Sequence, residues 1–333
     1  MSRRYNCAIA GATGMVGRNF IRILEERAFP VNELYLFASA RSAGCTIPFR
    51  QNEIVKELTV EALTPESFNK NIDFALFAVE NHISREYAPI AAAAGCIVVD
   101  NSSAWRMDEN VPLVVPEVNG ADIKQHKGII ANPNCCAAPA VIALKPLQEK
   151  YGLERVVIST YQSVSGAGNE GIADLQNGIN GQPPRCFPHA IANNIIPHID
   201  RFNDDGYTGE ETKIMQEIRK MLHQPDLRIT ATAARVPVAY GHSLSMNINL
   251  KKPFSLDELR GTIKKAPGVK LFDSAEAFEY PMPLHAAGTD EVYIGRLRRD
   301  ESSENTLNMW VVTDNTRKGA ALNAVQILEA LIG

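Results

Sequence analysis

The stretch Gly11-Ala12-Thr13-Gly14-Met15-Val16-Gly17 decides the fold, because it joins a strand to a helix. The run before it, Tyr5-Asn6-Cys7-Ala8-Ile9-Ala10, is short, apolar and strand-like. After it, Val16, Phe20, Ile21 and Leu24 recur at helical spacing. Glycines at such a turn let the backbone approach a phosphate, and the helix N-terminus offers unpaired N–H groups to it. The spacing G-x-x-G-x-x-G is a variant of the dinucleotide fingerprint. Gly11, Thr13, Gly14, Met15, Val16 and Gly17 are therefore expected to bind a dinucleotide cofactor.

The next strand, Leu34-Tyr35-Leu36-Phe37-Ala38, ends where an NAD-binding fold places an acidic residue for the ribose diol. Here the chain has Ser39-Ala40-Arg41-Ser42 and no carboxylate. A guanidinium flanked by hydroxyls suits a 2′-phosphate, so Ser39, Arg41 and Ser42 point to NADP rather than NAD.

At 333 residues the chain is long enough for two domains, at ~100–200 residues each. A net charge of −4 without a basic cluster argues against nucleic acid as a partner. No apolar run approaches the ~18 residues of a membrane span, and no signal peptide is evident, so a cytoplasmic location is expected. Six cysteines in a chain this long are read as free thiols of a reducing compartment.

Short apolar strands at 72–79, 96–100 and 128–131 alternate with helical stretches such as 85–94, the pattern of a doubly wound parallel sheet. Beyond Asn134 the texture changes. A helix over 138–149 is followed by strands at 155–164, 227–238, 243–250, 292–297 and 307–313. Few helices separate the later strands, which predicts a mostly antiparallel sheet in a second domain. The proline- and glycine-rich stretch 178–188 reads as a loop. The final helix, 318–331, has no docking partner that periodicity identifies.

The chemical centre is Asn132-Pro133-Asn134-Cys135-Cys136, just before a helix with Pro139 in its first turn. A thiol there feels the positive end of the helix dipole, which lowers its pKa from ~8.5 and enlarges the thiolate fraction. Cys135 is therefore a candidate nucleophile. Most free cysteines are only small buried hydrophobes, the reading given to Cys7, Cys45, Cys96 and Cys186. No metal is expected.

Separated segments along nearly the whole chain resemble the bacterial aspartate-β-semialdehyde dehydrogenase family. They are GATGMVG (11–17), ASARSAG (38–44), DNSSAWRMD (100–108), VPLVVPEVN (111–119), NPNC (132–135), STYQSVSGAG (159–168), RVPVAYGHS (235–243) and MWVVTDNTRKGAALN (309–323). The resemblance implies interconversion of L-aspartate-4-semialdehyde and L-4-aspartyl phosphate with NADP(H) and inorganic phosphate, on the route to lysine, threonine and methionine. It makes Cys135 the nucleophile that carries a thioester. Gln162 would hold the substrate against it, and His242 would be the acid/base group. Arg235 would pair with the substrate carboxylate and Glu210 with its ammonium, while Lys213 and Arg106 would hold the phosphate. Asn134 joins the substrate-binding set, and Ser165, Gly166 and Asn315 the nicotinamide side of the cofactor site.

The implied architecture is α/β. A Rossmann-type NADP-binding domain spans 1–134 and 316–333, and an α+β catalytic and dimerisation domain spans 135–315, building a homodimer. The sequence departs from the family at Glu80-Asn81-His82, at Cys136 where the family has Ser or Thr, and at Leu244 where it often has Glu. Two rival readings remain open. One is N-acetyl-γ-glutamyl-phosphate reductase, whose substrate has no free ammonium for Glu210. The other is a catalytically degenerate paralogue that binds NADP or a partner.

Overall fold

The computed structural model describes residues 3–51 and 54–333. The chain divides into two compact units, one running through Pro133 and including Ala320–Gly333, the other Asn134–Gly319.

In the first unit the strands are β1 (Tyr5–Ala10), β2 (Val31–Ala38), β3 (Thr46–Gln51), β4 (Ile54–Ala62), β5 (Phe74–Phe77), β6 (Ile97–Asp100) and β7 (Ile129–Ala131). They form one sheet in the order β3-β4-β2-β1-β5-β6-β7. All neighbours run parallel except β3 against β4. Strands covered on both faces cannot alternate apolar and polar residues. That is why β5 reads Phe-Ala-Leu-Phe, every residue buried.

Helices α1 (Met15–Glu26), α2 (Asn81–Ala93) and α3 (Pro116–Asn119) belong to this unit. Helix α1 buries Phe20, Ile21, Ile23 and Leu24 on its sheet side. The turn before it needs its glycines. Gly11 has φ +84°, and a Cβ there would lie 2.2 Å from Ala78 O. A Cβ on Gly17 would lie 2.2 Å from Gly11 O, so only glycine lets helix and turn close on each other.

Strands β3 and β4 have no counterpart in the sequence reading. Most of β4 is exposed, so it carries no apolar pattern to find. The expected helix at 318–331 starts later, at Leu322, after a wide turn over Arg317–Ala321. It joins the core around Phe20, Ile23 and Leu24 through Leu322, Val325 and Leu328. Asn323, fully buried, anchors it by donating to Val114 O and Asn132 Oδ1, each at 2.8 Å.

The second unit opens with α4 (Ala137–Tyr151), whose residues from Ala137 through Leu144 are all buried. Then come β8 (Leu153–Gln162), α5 (Gly168–Ile179), α6 (Gly209–Met221), β9 (Arg228–Arg235), β10 (His242–Leu250) and α7 (Leu256–Lys264). The series ends with β11 (Val269–Leu271), α8 (Pro283–Ala286), β12 (Val292–Arg299) and β13 (Thr306–Thr313). The sheet order is β11-β12-β13-β10-β8-β9.

The three inner pairings of that sheet are antiparallel; the outer pairs, β8 with β9 and β11 with β12, are parallel. The β8–β9 connection carries α5 and α6, the long crossover that parallel neighbours require. Strand β8 stops at Gln162, short of the expected 164. There Val164 and Ser165 turn their N–H groups to Val238 O and Ala239 O. No helix among the described residues is long and apolar enough to cross a membrane.

Candidate active site

Three of the expected site residues are brought together by strand register alone. Gln162 at the end of β8 pairs with Arg235 at the end of β9. Strand β10 lies on the other side of β8 and pairs Ser243 with Tyr161, so His242 reaches the same sheet edge. Arg235, Gln162 and His242 are all buried there.

The start of α4 supplies the nucleophile. Asn134 Oδ1 accepts the N–H groups of Cys136 (2.8 Å) and Ala137 (3.2 Å), capping the helix with a side chain and fixing Cys135 beside its first turn. Asn134 Nδ2 donates to Glu210 Oε1 at 2.8 Å, and Gln162 Nε2 donates to the same oxygen at 3.1 Å. The Asn134 N–H meets Glu217 Oε2 at 2.6 Å.

The thiols of Cys135 and Cys136 and a ring nitrogen of His242 lie within 4.8 Å of one another. Such a set could hold a thiophilic cation, but that would consume the nucleophile. The electrostatics favour an ionised Cys135. A hydrogen bond from the Cys136 thiol, aided by His242 and the Arg235 guanidinium, holds Cys135 well below the ordinary thiol range despite burial. Burial, and the hydrogen bond and charge of its neighbour, push Cys136 well above it. The pair thus divides into one thiolate and one thiol.

His242 is oriented by Ser163. Its Nδ1 accepts the Ser163 N–H at 3.1 Å and lies 3.0 Å from Ser163 Oγ. A ring nitrogen that accepts a main-chain donor carries no proton, so in neutral His242 the proton sits on Nε2. That Nε2 is buried and meets no hydrogen-bond partner among the described residues. Behind the ring, Asn315 Oδ1 accepts from Ser163 Oγ (3.0 Å), Ser165 Oγ (3.2 Å) and the Gly241 N–H (3.0 Å). Ser165 and Asn315, expected beside the nicotinamide, are thus tied into the scaffold of His242. A Cβ on Gly166 would stand 2.7 Å from Arg235 Nη1 and 3.3 Å from His242 Nε2.

The acids on α6 divide their work. Glu211 forms a capping box with Thr208, its Oε2 accepting the Thr208 N–H at 2.7 Å, and its Oε1 accepts the Ala233 N–H at 2.9 Å. Glu210, one residue earlier, is the acid that faces Asn134 and Gln162. Lys213 Nζ lies 2.6 Å from Asp200 Oδ2 and 3.6 Å from Glu210 Oε2. Arg106 lies in the first unit, buried in the stretch after β6, and donates to Asn101 O at 2.8 Å.

Ser163, Glu217 and Asp200 are contacts that sequence reasoning did not assign. Glu217 had a signal, since it sits two helical turns beyond Glu210 on one face of α6. Ser163 lay inside a quoted segment, but nothing in its type set it apart from its neighbours.

In the first unit a cleft of about 460 Å³ is lined by Gly11, Thr13, Gly14, Ala38, Ser39, Glu80 and His82, among others. Met15, Val16 and Gly17 form the first turn of α1, whose outward N–H groups suit phosphate oxygens. Ser39 is exposed on the rim and Arg41 and Ser42 follow in a short helical turn, Arg41 exposed. These donors fit a nicotinamide dinucleotide. The carboxylate of Glu80 is largely exposed and stands 3.4 Å from His82 Nδ1.

A glycine-turn nucleotide unit and a unit that presents an activated cysteine are the parts of a thiol-dependent dehydrogenase of aldehydes. The NAD binding domain of semialdehyde dehydrogenases matches residues 6–126, and their dimerisation domain matches residues 144–318. Aspartate-semialdehyde dehydrogenase of Aquifex aeolicus (strain VF5) is 52% identical over 98% of each chain. The solved structure of aspartate semialdehyde dehydrogenase II from Vibrio cholerae complexed with ASA aligns at TM-score 0.93, with 42% identity over 99% of both chains. That of the Candida albicans enzyme with NADP aligns at 0.77, with 25% identity over 99% of this chain and 98% of that one. The chain belongs to the aspartate-semialdehyde dehydrogenase family.

Proposed function

We propose that the protein interconverts L-aspartate-4-semialdehyde and L-4-aspartyl phosphate, using NADP(H) and inorganic phosphate. The observation that carries this reading is Cys135, acidified by Cys136, His242 and the Arg235 guanidinium, beside the proton on His242 Nε2.

In the oxidative direction the Cys135 thiolate adds to the aldehyde carbon. In its imidazolium form His242 protonates the resulting oxyanion from Nε2, and the neutral ring left behind takes that proton back as the C–H bond breaks. The bound dinucleotide supplies the acceptor for the hydride. Cys135 is left as a thioester, which phosphate attacks at the acyl carbon, expelling the thiolate and yielding the acyl phosphate. Gln162 lies against Glu210, which suits it to hold the substrate near Cys135. Arg235 takes the α-carboxylate and Glu210 the ammonium; Lys213 and Arg106 take the phosphate; Asn134 positions both Glu210 and the nucleophile.

NADP is favoured over NAD by Arg41 between Ser39 and Ser42, with no carboxylate at the end of β2, and by the relative solved with NADP. Ser165, Gly166 and Asn315 form the nicotinamide side. The match to a dimerisation domain supports a homodimer, and six free cysteines suit the cytoplasm.

The test is NADP reduction by L-aspartate-4-semialdehyde, with and without phosphate, beside Cys135→Ser and with NAD as the alternative acceptor. Phosphate-dependent reduction that is abolished in Cys135→Ser is expected. A folded wild type that binds NADP yet reduces none would instead mark a catalytically degenerate paralogue.

A further inference from the structure

Asp174 on α5 is a buried acid that the reaction above does not use. Its carboxylate accepts three consecutive main-chain N–H groups. Arg185 donates at 2.9 and 3.0 Å, Cys186 at 2.8 Å and Phe187 at 3.0 Å. Burial acts to raise the pKa of Asp174, but these amides outweigh it and hold the carboxyl below the ordinary range. Such convergence of successive amides is the geometry of an anion-binding nest, here closed on the chain's own carboxylate.

The segment so clamped, 181–188, contains Pro183, Pro184 and Pro188 and has no helix or strand of its own. What the clamp delivers is Phe187. Its ring centroid stands 5.7 Å from Cζ of Arg235. The ring packs on the cluster of Val164, Ile191 and Ile196. It fits because residue 171 is glycine, where a Cβ would lie 3.2 Å from Phe187 Cζ. Arg235 also donates a hydrogen bond from Nη1 to Ser163 O at 2.8 Å.

We propose that Asp174 is a positioning residue which, through the amides of residues 185–187, holds Phe187 against the Arg235 guanidinium. The ring fixes the plane in which Arg235 receives the substrate carboxylate and keeps water from that side. Phe187 is thereby a determinant of specificity for a short amino-acid aldehyde that carries a free carboxylate. The inference rests on the reading of Arg235 as the carboxylate partner.

The experiment is steady-state kinetics of Asp174→Asn, Phe187→Leu and the double variant, with L-aspartate-4-semialdehyde and with 3-aminopropanal, which lacks the carboxylate. Each single variant is expected to raise KM for the semialdehyde about two- to thirtyfold, the range of a lost ring–cation contact. The turnover number and the KM values for phosphate and NADP should stay within about twofold, and the preference over 3-aminopropanal should fall in step. The double variant should be no worse than Asp174→Asn, because both act through one contact. Additive losses, or an unchanged KM in Phe187→Leu, would overturn the proposal. So would a fall of every constant together with the melting temperature. If Asp174→Asn does not fold, Phe187→Leu decides alone. An inactive wild type speaks against the functional reading and is told apart at once.

Discussion

His242 turns one nitrogen to a main-chain donor and leaves the other free to exchange a proton. When the ring takes up a second proton, Nδ1–H needs an acceptor, and the amide of Ser163 cannot serve. Ser163 Oγ, 3.0 Å away, can accept that proton while passing its own to Asn315 Oδ1. Removing the hydroxyl takes away that acceptor and weakens the support His242 gives to the Cys135 thiolate. The sign follows directly. Cys135 is reactive below the ordinary thiol midpoint of ~8.5, and Ser163→Ala moves the midpoint of its alkylation by iodoacetamide upward by about one unit. An unmoved alkylation profile would show that the hydroxyl plays no such part. Cys135 itself was legible in the sequence, through a helix start and a motif. The tautomer of His242 was not, because it depends on which backbone amide faces the ring.

Among the elements, the site is a property of where strands stop. Strands β9 and β8 end at Arg235 and Gln162, β10 begins at His242 on the same sheet edge, and the short turn Val164–Ala167 brings Gly166 beside Arg235 and His242. Gly166 in that turn leaves room for a guanidinium and an imidazole. Gly166→Ala should therefore lower kcat/KM about tenfold or more, a loss of about 1.4 kcal/mol at the transition state, while the circular dichroism spectrum stays unchanged. Wild-type kinetics in this variant would count against the crowded geometry. The apolar strands of both sheets were legible because burial writes itself into their composition. The hairpin of β3 and β4 was not, since β3 buries only Ile47 and Phe49 on either side of Pro48 and β4 is mostly exposed. The parallel direction of β9 was equally hidden, because pairing partners follow from crossovers rather than from local pattern.

For the molecule as a whole, the first unit is completed by the last stretch of chain. Leu328 is fully buried in the core that α1 also enters. Leu328→Ala should destabilise this unit by about 2–5 kcal/mol, seen as an earlier urea transition with NADP affinity lost alongside. A midpoint equal to wild type would remove the C-terminal helix from the core. Periodicity could not dock this helix, because nearly every residue from Leu322 to Leu328 is buried and no face stands out. Its position is set instead by Asn323, a polar residue whose partners lie far back in the chain. The same remoteness has a consequence for Cys135 during synthesis. The groups that acidify it, Arg235 and His242, are translated long after it, so on the ribosome the thiol keeps ordinary reactivity. Its reactivity toward oxidants and alkylating agents rises above that of an ordinary thiol once the second sheet has formed. Maturation of the fold and arming of the nucleophile are one event.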